Sequence, residues 1–221
     1  GWACWKTYVG RPETDENRIG AMTQLGNGLY AAGHDEDAAS VFEAVLSIRR
    51  RLGAPEQRMN FVQGNLACTY ELLGRSNEAL SLRQEVYSGR LKLEGEEHIY
   101  TLNVANNYAT SLYGLERFKE AKSLMRKTIP LARRVIGENH DSTLRMRWTY
   151  GRALYFARED ATLEDLCEAV TTLEDTVRIA RRVLGGAHPL TADIERHLRN
   201  ARSKLASFDA LSGGVRDLSV S

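Results

Sequence analysis

The chain has 221 residues, with 30 basic and 29 acidic side chains that leave a formal net charge of +1. This balance predicts no nucleic acid and no anionic membrane as the main partner, because both attract a surplus of basic side chains. No apolar run approaches the roughly 18 residues that a membrane-spanning helix needs. Three cysteines without disulfide or metal spacing favour a reducing compartment, so the expected location is cytoplasmic.

Residues 1–12 carry Trp2, Trp5 and Tyr8 at three-residue steps, which places three aromatic rings on one helical face. Two interpretations are open for this segment. It is either the end of a partial repeat, which would make the chain a fragment, or an N-terminal cap whose indoles pack on the first repeat. Self-association through Trp2 and Trp5 is a further possibility, although a monomer is favoured.

A G-x-x-H-x-x-T pattern occupies residues 95–101 and returns at residues 137–143 and 185–191. Gly137 follows Gly95 by 42 residues, and Gly185 follows Gly137 by 48. A weaker copy begins at Gly53, again 42 residues before Gly95. A period of this length indicates a helical array rather than one globular core.

Each period also contains a large, a small and then a large residue on one helical face, as in Leu66, Ala67 and Tyr70. The small residue lets a second helix cross closely. Its position is filled by Gly26, Ala67, Ala109 and Gly151 in the four periods.

Together these patterns resemble the tetratricopeptide (TPR) repeat, in the 42-residue form found in kinesin light chains. The resemblance implies an all-α solenoid of about four TPR helix pairs with a C-terminal capping helix, coiled as a right-handed superhelix. The expected repeats span residues 13–53, 54–95, 96–137 and 138–185. A capping helix is expected at 188–206, and a flexible tail at 207–221.

Two departures from the repeat are expected to have structural consequences. About six residues are inserted between the helices of the fourth pair, around residues 157–163. In the last helix the packing positions become Arg199 and Arg202, which suit the polar outer face of a terminal element.

The histidines of the repeated motif do not predict a metal site. His98, His140 and His188 lie one repeat apart, and a zinc ion needs its ligands within roughly 2.1 Å. Each is expected to begin a helix, after the glycine that ends the helix before it. His34 and His197 are isolated and are expected to face solvent. No nucleotide-binding or catalytic motif is present, so neither a cofactor nor an enzyme activity is predicted.

The first helices of the pairs would line the concave side of the array, and their polar and aromatic residues are the candidate peptide-binding site. Amide side chains can bind a peptide backbone through both donor and acceptor. Rigid aromatic side chains provide pockets for anchor residues. The candidates are Gln24, Asn27, Tyr30, Phe61, Asn65, Asn103, Asn106, Asn107, Tyr113, Arg145, Trp148, Arg152 and Tyr155.

The resemblance implies that Asn65 and Asn107 match the asparagines that hold peptide backbones in peptide-binding TPR proteins. Of the basic positions in the family's carboxylate clamp, Arg145 is the one matched. The predicted function is therefore a scaffold or adaptor that holds an extended, partly acidic peptide with an apolar anchor along repeats two to four. The alternatives are a regulatory TPR domain of a larger protein whose catalytic part lies elsewhere, and asparagines that only bridge neighbouring helices.

Overall fold

A computed structural model describes residues 1–156 and 161–217, and the side chains of residues 1–156 and 161–208. Within these ranges the chain forms helices and no strand. Within residues 2–72 and within residues 99–217 consecutive helices pack against each other as in a TPR α-solenoid, so the predicted all-α class is confirmed. The helices are α1 (Trp2–Tyr8), α2 (Glu16–Ala31), α3 (Asp35–Arg51), α4 (Glu56–Leu72), α5 (Ser76–Glu94), α6 (Ile99–Gly114), α7 (Phe118–Val135), α8 (Asp141–Phe156), α9 (Leu163–Val183) and α10 (Pro189–Asp217).

The chain divides into two compact units, Gly1–Leu93 and Glu94–Ser221. In the first unit, α2 packs against α1, α3 and α4, and α3 packs against α4. The core of this unit surrounds Phe42, which is fully buried. A Cβ atom added at Gly26 would lie 2.6 Å from Cε1 of Phe42, so the small residue is required for this helix crossing.

In the second unit each helix from α6 to α10 packs against the next one, and α8 also contacts α6 and α10. The first helices of successive pairs are therefore neighbours in space. Gly151 repeats the role of Gly26, because an added Cβ atom would lie 2.7 Å from Cγ of Leu173. The close crossing expected at the small position is thus confirmed in both units.

The repeated G-x-x-H-x-x-T motif forms the junction between one pair and the next. Gly137 has a φ of +95°, a backbone conformation that favours glycine. Nδ1 of His140 accepts a hydrogen bond from the Ser142 backbone nitrogen at 3.1 Å, which caps the start of α8. The buried Thr143 hydroxyl donates to the Gly137 carbonyl at 2.8 Å. The prediction that this histidine begins a helix is confirmed, and the histidine before α6 and the one before α10 make the same bond.

The last helix is longer than the expected capping helix at 188–206, since α10 continues to Asp217. No proline follows residue 206. Gly213 and Gly214 weaken a helix without necessarily ending it. Before α9, the predicted insertion lies largely at residues 157–160, outside the described residues. Thr162 then caps α9 by accepting a hydrogen bond from the Asp165 backbone nitrogen.

Candidate functional site

In the second unit the guanidinium cation of Arg152 contacts the rings of two other predicted site residues, Tyr113 and Trp148. Arg152 on α8 places its guanidinium carbon 3.9 Å from the ring centre of Tyr113 on α6 and 4.7 Å from that of Trp148. Trp148 lies one helical turn before Arg152 on α8, so two neighbouring helices supply the aromatic surfaces. Such contacts hold a cation without neutralising its charge. We call the side of α6 and α8 that carries Asn106, Asn107, Tyr113, Trp148 and Arg152 the α6/α8 face.

The other two arginines of α8 are already paired with carboxylates. Arg145 donates through Nε to Asp141 at 2.7 Å. Arg147, which is buried, donates to Glu138 at 2.6 Å. Arg152 has no hydrogen bond and no ion pair to any described residue, and its buried Nε atom lacks an acceptor. The positive charge available on the α6/α8 face is therefore that of Arg152 rather than that of Arg145.

Two further polar atoms of this face are buried without a hydrogen-bond partner among the described residues: Oδ1 of Asn106 and Nε1 of Trp148. Asn106 and Trp148 are 42 residues apart, so they occupy equivalent positions on α6 and α8. One atom is an acceptor and the other a donor. Buried polar groups are nearly always paired in folded proteins, so these two atoms require an explanation.

Beside the face, α8 is joined to α10 through a buried pair. The hydroxyl of Tyr155 lies 2.5 Å from Nδ1 of His197. Burial, together with nearby Arg152 and Arg196, lowers the pKa of His197 to about 4. His197 is therefore neutral at neutral pH. The expectation that His197 faces solvent is wrong, because α8 and the aromatic side chains around Tyr155 cover it.

Several residues of this cluster were absent from the predicted set. Phe118 and Phe156 pack around Tyr113 with ring centres 5.4 Å away in each case. The repeat pattern did contain a signal for His197. Counted from the motif threonine, His197 occupies the position held by Asn65 and Asn107 in earlier repeats.

The remaining candidates of the second unit have simpler surroundings. Asn107 is exposed, and Asn103 is partly exposed. Arg145 is exposed but bound to Asp141, and Tyr155 is buried with 4% of its surface accessible. Of these four side chains, Asn107 is thus the one placed to meet a ligand from solution.

The first unit arranges its candidates differently. Nδ2 of Asn65 on α4 donates to Oδ1 of Asn27 on α2 at 2.8 Å. This contact is the helix bridge that the alternative interpretation of the asparagines describes. Tyr30, Phe61 and Gln24 are exposed.

Among the described residues, no cluster of three or more histidine, cysteine or acidic side chains could hold a metal ion. Nor does any helix in the described part of the chain have the length and hydrophobicity to cross a membrane. Cys4, Cys68 and Cys167 are free thiols.

The helix pairs, their glycine junctions and the polar side of α6 and α8 define a helical-repeat scaffold. Models of the tetratricopeptide repeat match residues 18–52, 58–134 and 100–163, which together exceed half of the chain. The chain belongs to the tetratricopeptide repeat family.

Solved structures with a similar fold include TPR proteins of the kinesin light chain type. A candidate kinesin light chain of Podosopora anserina with nearly identical TPR-like repeats has a TM-score of 0.71 at 21% identity, covering 95% of this chain and 96% of that one. BtubC (BKLC) from P. vanneervenii has a TM-score of 0.62 at 16% identity, covering 89% and 82%. A Rap protein complexed with competence and sporulation factor has a TM-score of 0.53 at 14% identity, covering 92% and 56%. These similarities establish the fold. No curated protein matches the chain in sequence.

Proposed function

We propose that this protein is a non-catalytic interaction scaffold that binds an extended peptide on the α6/α8 face. The proposed peptide carries acidic residues and an apolar anchor. The observation that carries this proposal is Arg152, whose cation rests on two aromatic rings and has no carboxylate partner among the described residues.

The charge of Arg152 supports the acidic part of the ligand. A guanidinium presents its donors in a planar fork that matches a carboxylate. Arg145 and Arg147 already have such partners on or near α8. A ligand carboxylate would therefore pair with Arg152 first.

The amide groups support an extended backbone. Each peptide residue offers one N–H donor and one C=O acceptor, and an asparagine side chain can bind both. Asn107 is exposed for this purpose, and Asn106 lies beside it on α6. Partly exposed aromatic surface at Tyr113 and Trp148 would accept the apolar anchor.

The family relationship supports a role in protein–protein interaction, because helical repeats present extended concave surfaces for binding. The Rap protein of similar fold was solved with competence and sporulation factor. By analogy with kinesin light chain-like TPR proteins, we propose an adaptor role. We also propose a cytoplasmic location, in keeping with the three free thiols, and a monomeric state.

The first unit is a poorer candidate for the backbone contact. The amide of Asn65 is already used in the bond to Asn27, and breaking that bond would offset part of the gain from a ligand. This difference between the units supplies a matched control.

A random peptide display selection against the purified protein tests the proposal. The variant Asn106→Ala/Asn107→Ala/Arg152→Gln removes both amides and the guanidinium of the α6/α8 face, whereas Asn65→Ala is the control in the first unit. We expect convergent acidic peptides that bind the wild type and Asn65→Ala but not the triple variant. Circular dichroism establishes that both variants remain helical. Convergent peptides that the triple variant retains would contradict the proposal.

A further inference from the structure

The guanidinium of Arg152 lies next to a buried polar atom that has no hydrogen-bond partner among the described residues. It lies over the indole of Trp148, whose buried Nε1 atom has no acceptor among the described residues. It also lies over the ring of Tyr113 on α6, 3.9 Å from the ring centre. The buried Nε of Arg152 itself is also unpaired.

We propose that Arg152 is a ligand-operated cover, which swings away from Tyr113 and Trp148 when a peptide carboxylate pairs with its guanidinium. This inference rests on the proposed function and adds a selection step to it. In the free protein the cover is closed, and the carboxylate opens it. Opening gives Nε1 of Trp148 access to a peptide carbonyl.

The unpaired atoms are the first argument for this step. A buried polar atom without a partner has lost its hydration and gained no hydrogen bond in return. The arrangement around Arg152 contains two unpaired donors, and the equivalent position on α6 contains an unpaired acceptor, Oδ1 of Asn106. A peptide backbone supplies both kinds of partner, so binding would satisfy groups that the free protein leaves unsatisfied.

The second argument is that ring contacts alone hold Arg152. Among the described residues no hydrogen bond or ion pair keeps it against Tyr113 and Trp148. Cation–π contacts at partly exposed sites are weak compared with a charged hydrogen bond. A carboxylate can therefore draw the guanidinium away, whereas Arg147 stays bound to Glu138.

This cover makes a specific prediction about selectivity. An acidic peptide exchanges the ring contacts of Arg152 for an ion pair, whereas a neutral peptide must displace the side chain without gaining that ion pair. Replacing Arg152 by glutamine should therefore weaken acidic ligands and strengthen neutral ones. A residue that only added charge to the surface would weaken acidic ligands and leave neutral ligands unchanged.

The test uses Trp148 as its own reporter. The protein has three tryptophans, so the variant Trp2→Phe/Trp5→Phe leaves Trp148 alone. The probes are acetyl-Glu-Glu-Leu-Phe-Glu-Glu-amide and acetyl-Gln-Gln-Leu-Phe-Gln-Gln-amide, each labelled with fluorescein. Anisotropy of the label measures binding, and indole emission, recorded with unlabelled peptide, measures the position of Arg152.

We expect the acidic probe to bind and to change the Trp148 emission. Arg152→Gln should weaken that probe about tenfold and tighten the glutamine probe. Arg152→Lys, which retains charge but not the planar fork, should give an intermediate affinity for the acidic probe. In the absence of peptide, Arg152→Gln should also increase quenching of Trp148 by acrylamide.

Three outcomes would overturn the cover. Binding of the acidic probe with unchanged Trp148 emission would do so and would leave the proposed function standing. Equal binding of the glutamine probe to wild type and Arg152→Gln would also reject it while keeping the scaffold function. Unchanged acrylamide quenching in Arg152→Gln would reject the closed state itself. Failure of both probes, together with failure of the display selection, would reject the function as well.

Discussion

The hydroxyl of Tyr155 and Nδ1 of His197 lie 2.5 Å apart and join α8 to α10 inside the second unit. Both side chains are buried, and neither reaches a carboxylate in the described contacts. Burial raises the pKa of Tyr155 and lowers that of His197, so both groups stay neutral over a wide pH range. This contact therefore joins α8 to α10 through two neutral side chains.

The lowered pKa of His197 makes stability depend on pH. The pKa is about 4 in the folded protein against a reference value of 6.5, so the unfolded chain binds the proton more readily. The contribution of neutral His197 to stability is therefore fully present above the unfolded pKa. It is lost as the pH falls from about 6.5 towards 4. Between pH 7 and pH 5 the loss from this group should be about 2 kcal/mol.

Urea unfolding of wild type and His197→Gln at both pH values measures this effect. Glutamine keeps a side-chain acceptor for Tyr155 but does not titrate. We expect a smaller loss of stability between pH 7 and pH 5 in the variant, while the acidic groups common to both proteins cancel. Equal losses of stability in wild type and His197→Gln would show that His197 does not titrate in this range.

Replacing Gly26 and Gly20 of α2 by alanine is expected to change the stability of the protein in opposite directions. Gly26→Ala places a methyl group against Phe42 and should cost about 1–3 kcal/mol through overpacking. Gly20→Ala meets nothing within 4 Å and should gain about 0.5–1 kcal/mol from helix propensity. Thermal unfolding of the two variants provides the comparison. Stabilisation by both substitutions would mean that α2 and α3 can separate freely.

The turn within the third pair contains a strained residue. Glu116 has a φ of +58°, at the position that Gly74 fills with a φ of +73° in the pair before it. Glu116→Gly should raise stability by about 1 kcal/mol, because glycine adopts this conformation without steric conflict. Gly74→Ala should lower stability by about the same amount. Equal midpoints in chemical denaturation for wild type and Glu116→Gly would show that other contacts of Glu116 offset the strain.

The motif threonines form another matched pair. Thr143 and Thr191 are both fully buried, but the Thr143 hydroxyl donates to the Gly137 carbonyl while that of Thr191 has no partner among the described residues. Thr143→Val should cost about 1–2 kcal/mol, because the hydrogen bond is lost. Thr191→Val should be neutral or stabilising, because an unpaired buried hydroxyl is removed. Equal losses in calorimetry would indicate that both hydroxyls are bonded in solution.

The repeat, the helix type and the junction chemistry could be predicted from the sequence because each depends on local spacing. Gly137 and His140 lie close together in the chain, so their order predicted where one helix ends and the next begins. The bond from the buried Thr143 hydroxyl to the Gly137 carbonyl was not part of that prediction. The need for small residues at Gly26 and Gly151 followed in the same way from a three-residue step on one helical face.

The tertiary structure alone decided which polar side chains are partners. Asn65 and Asn107 are equivalent in sequence, yet Asn65 is bonded to Asn27 and Asn107 is exposed. Arg145 pairs with Asp141 four residues before it on α8, which is a local contact, whereas Arg152 also contacts Tyr113, which lies on α6. Asn27 lies 38 residues before Asn65, and Tyr113 lies 39 residues before Arg152, so side-chain rotamers and packing between helices determine these two contacts. Periodicity therefore determined the scaffold, and packing between neighbouring helices determined the bond of Asn65 to Asn27 and the contact of Arg152 with Tyr113.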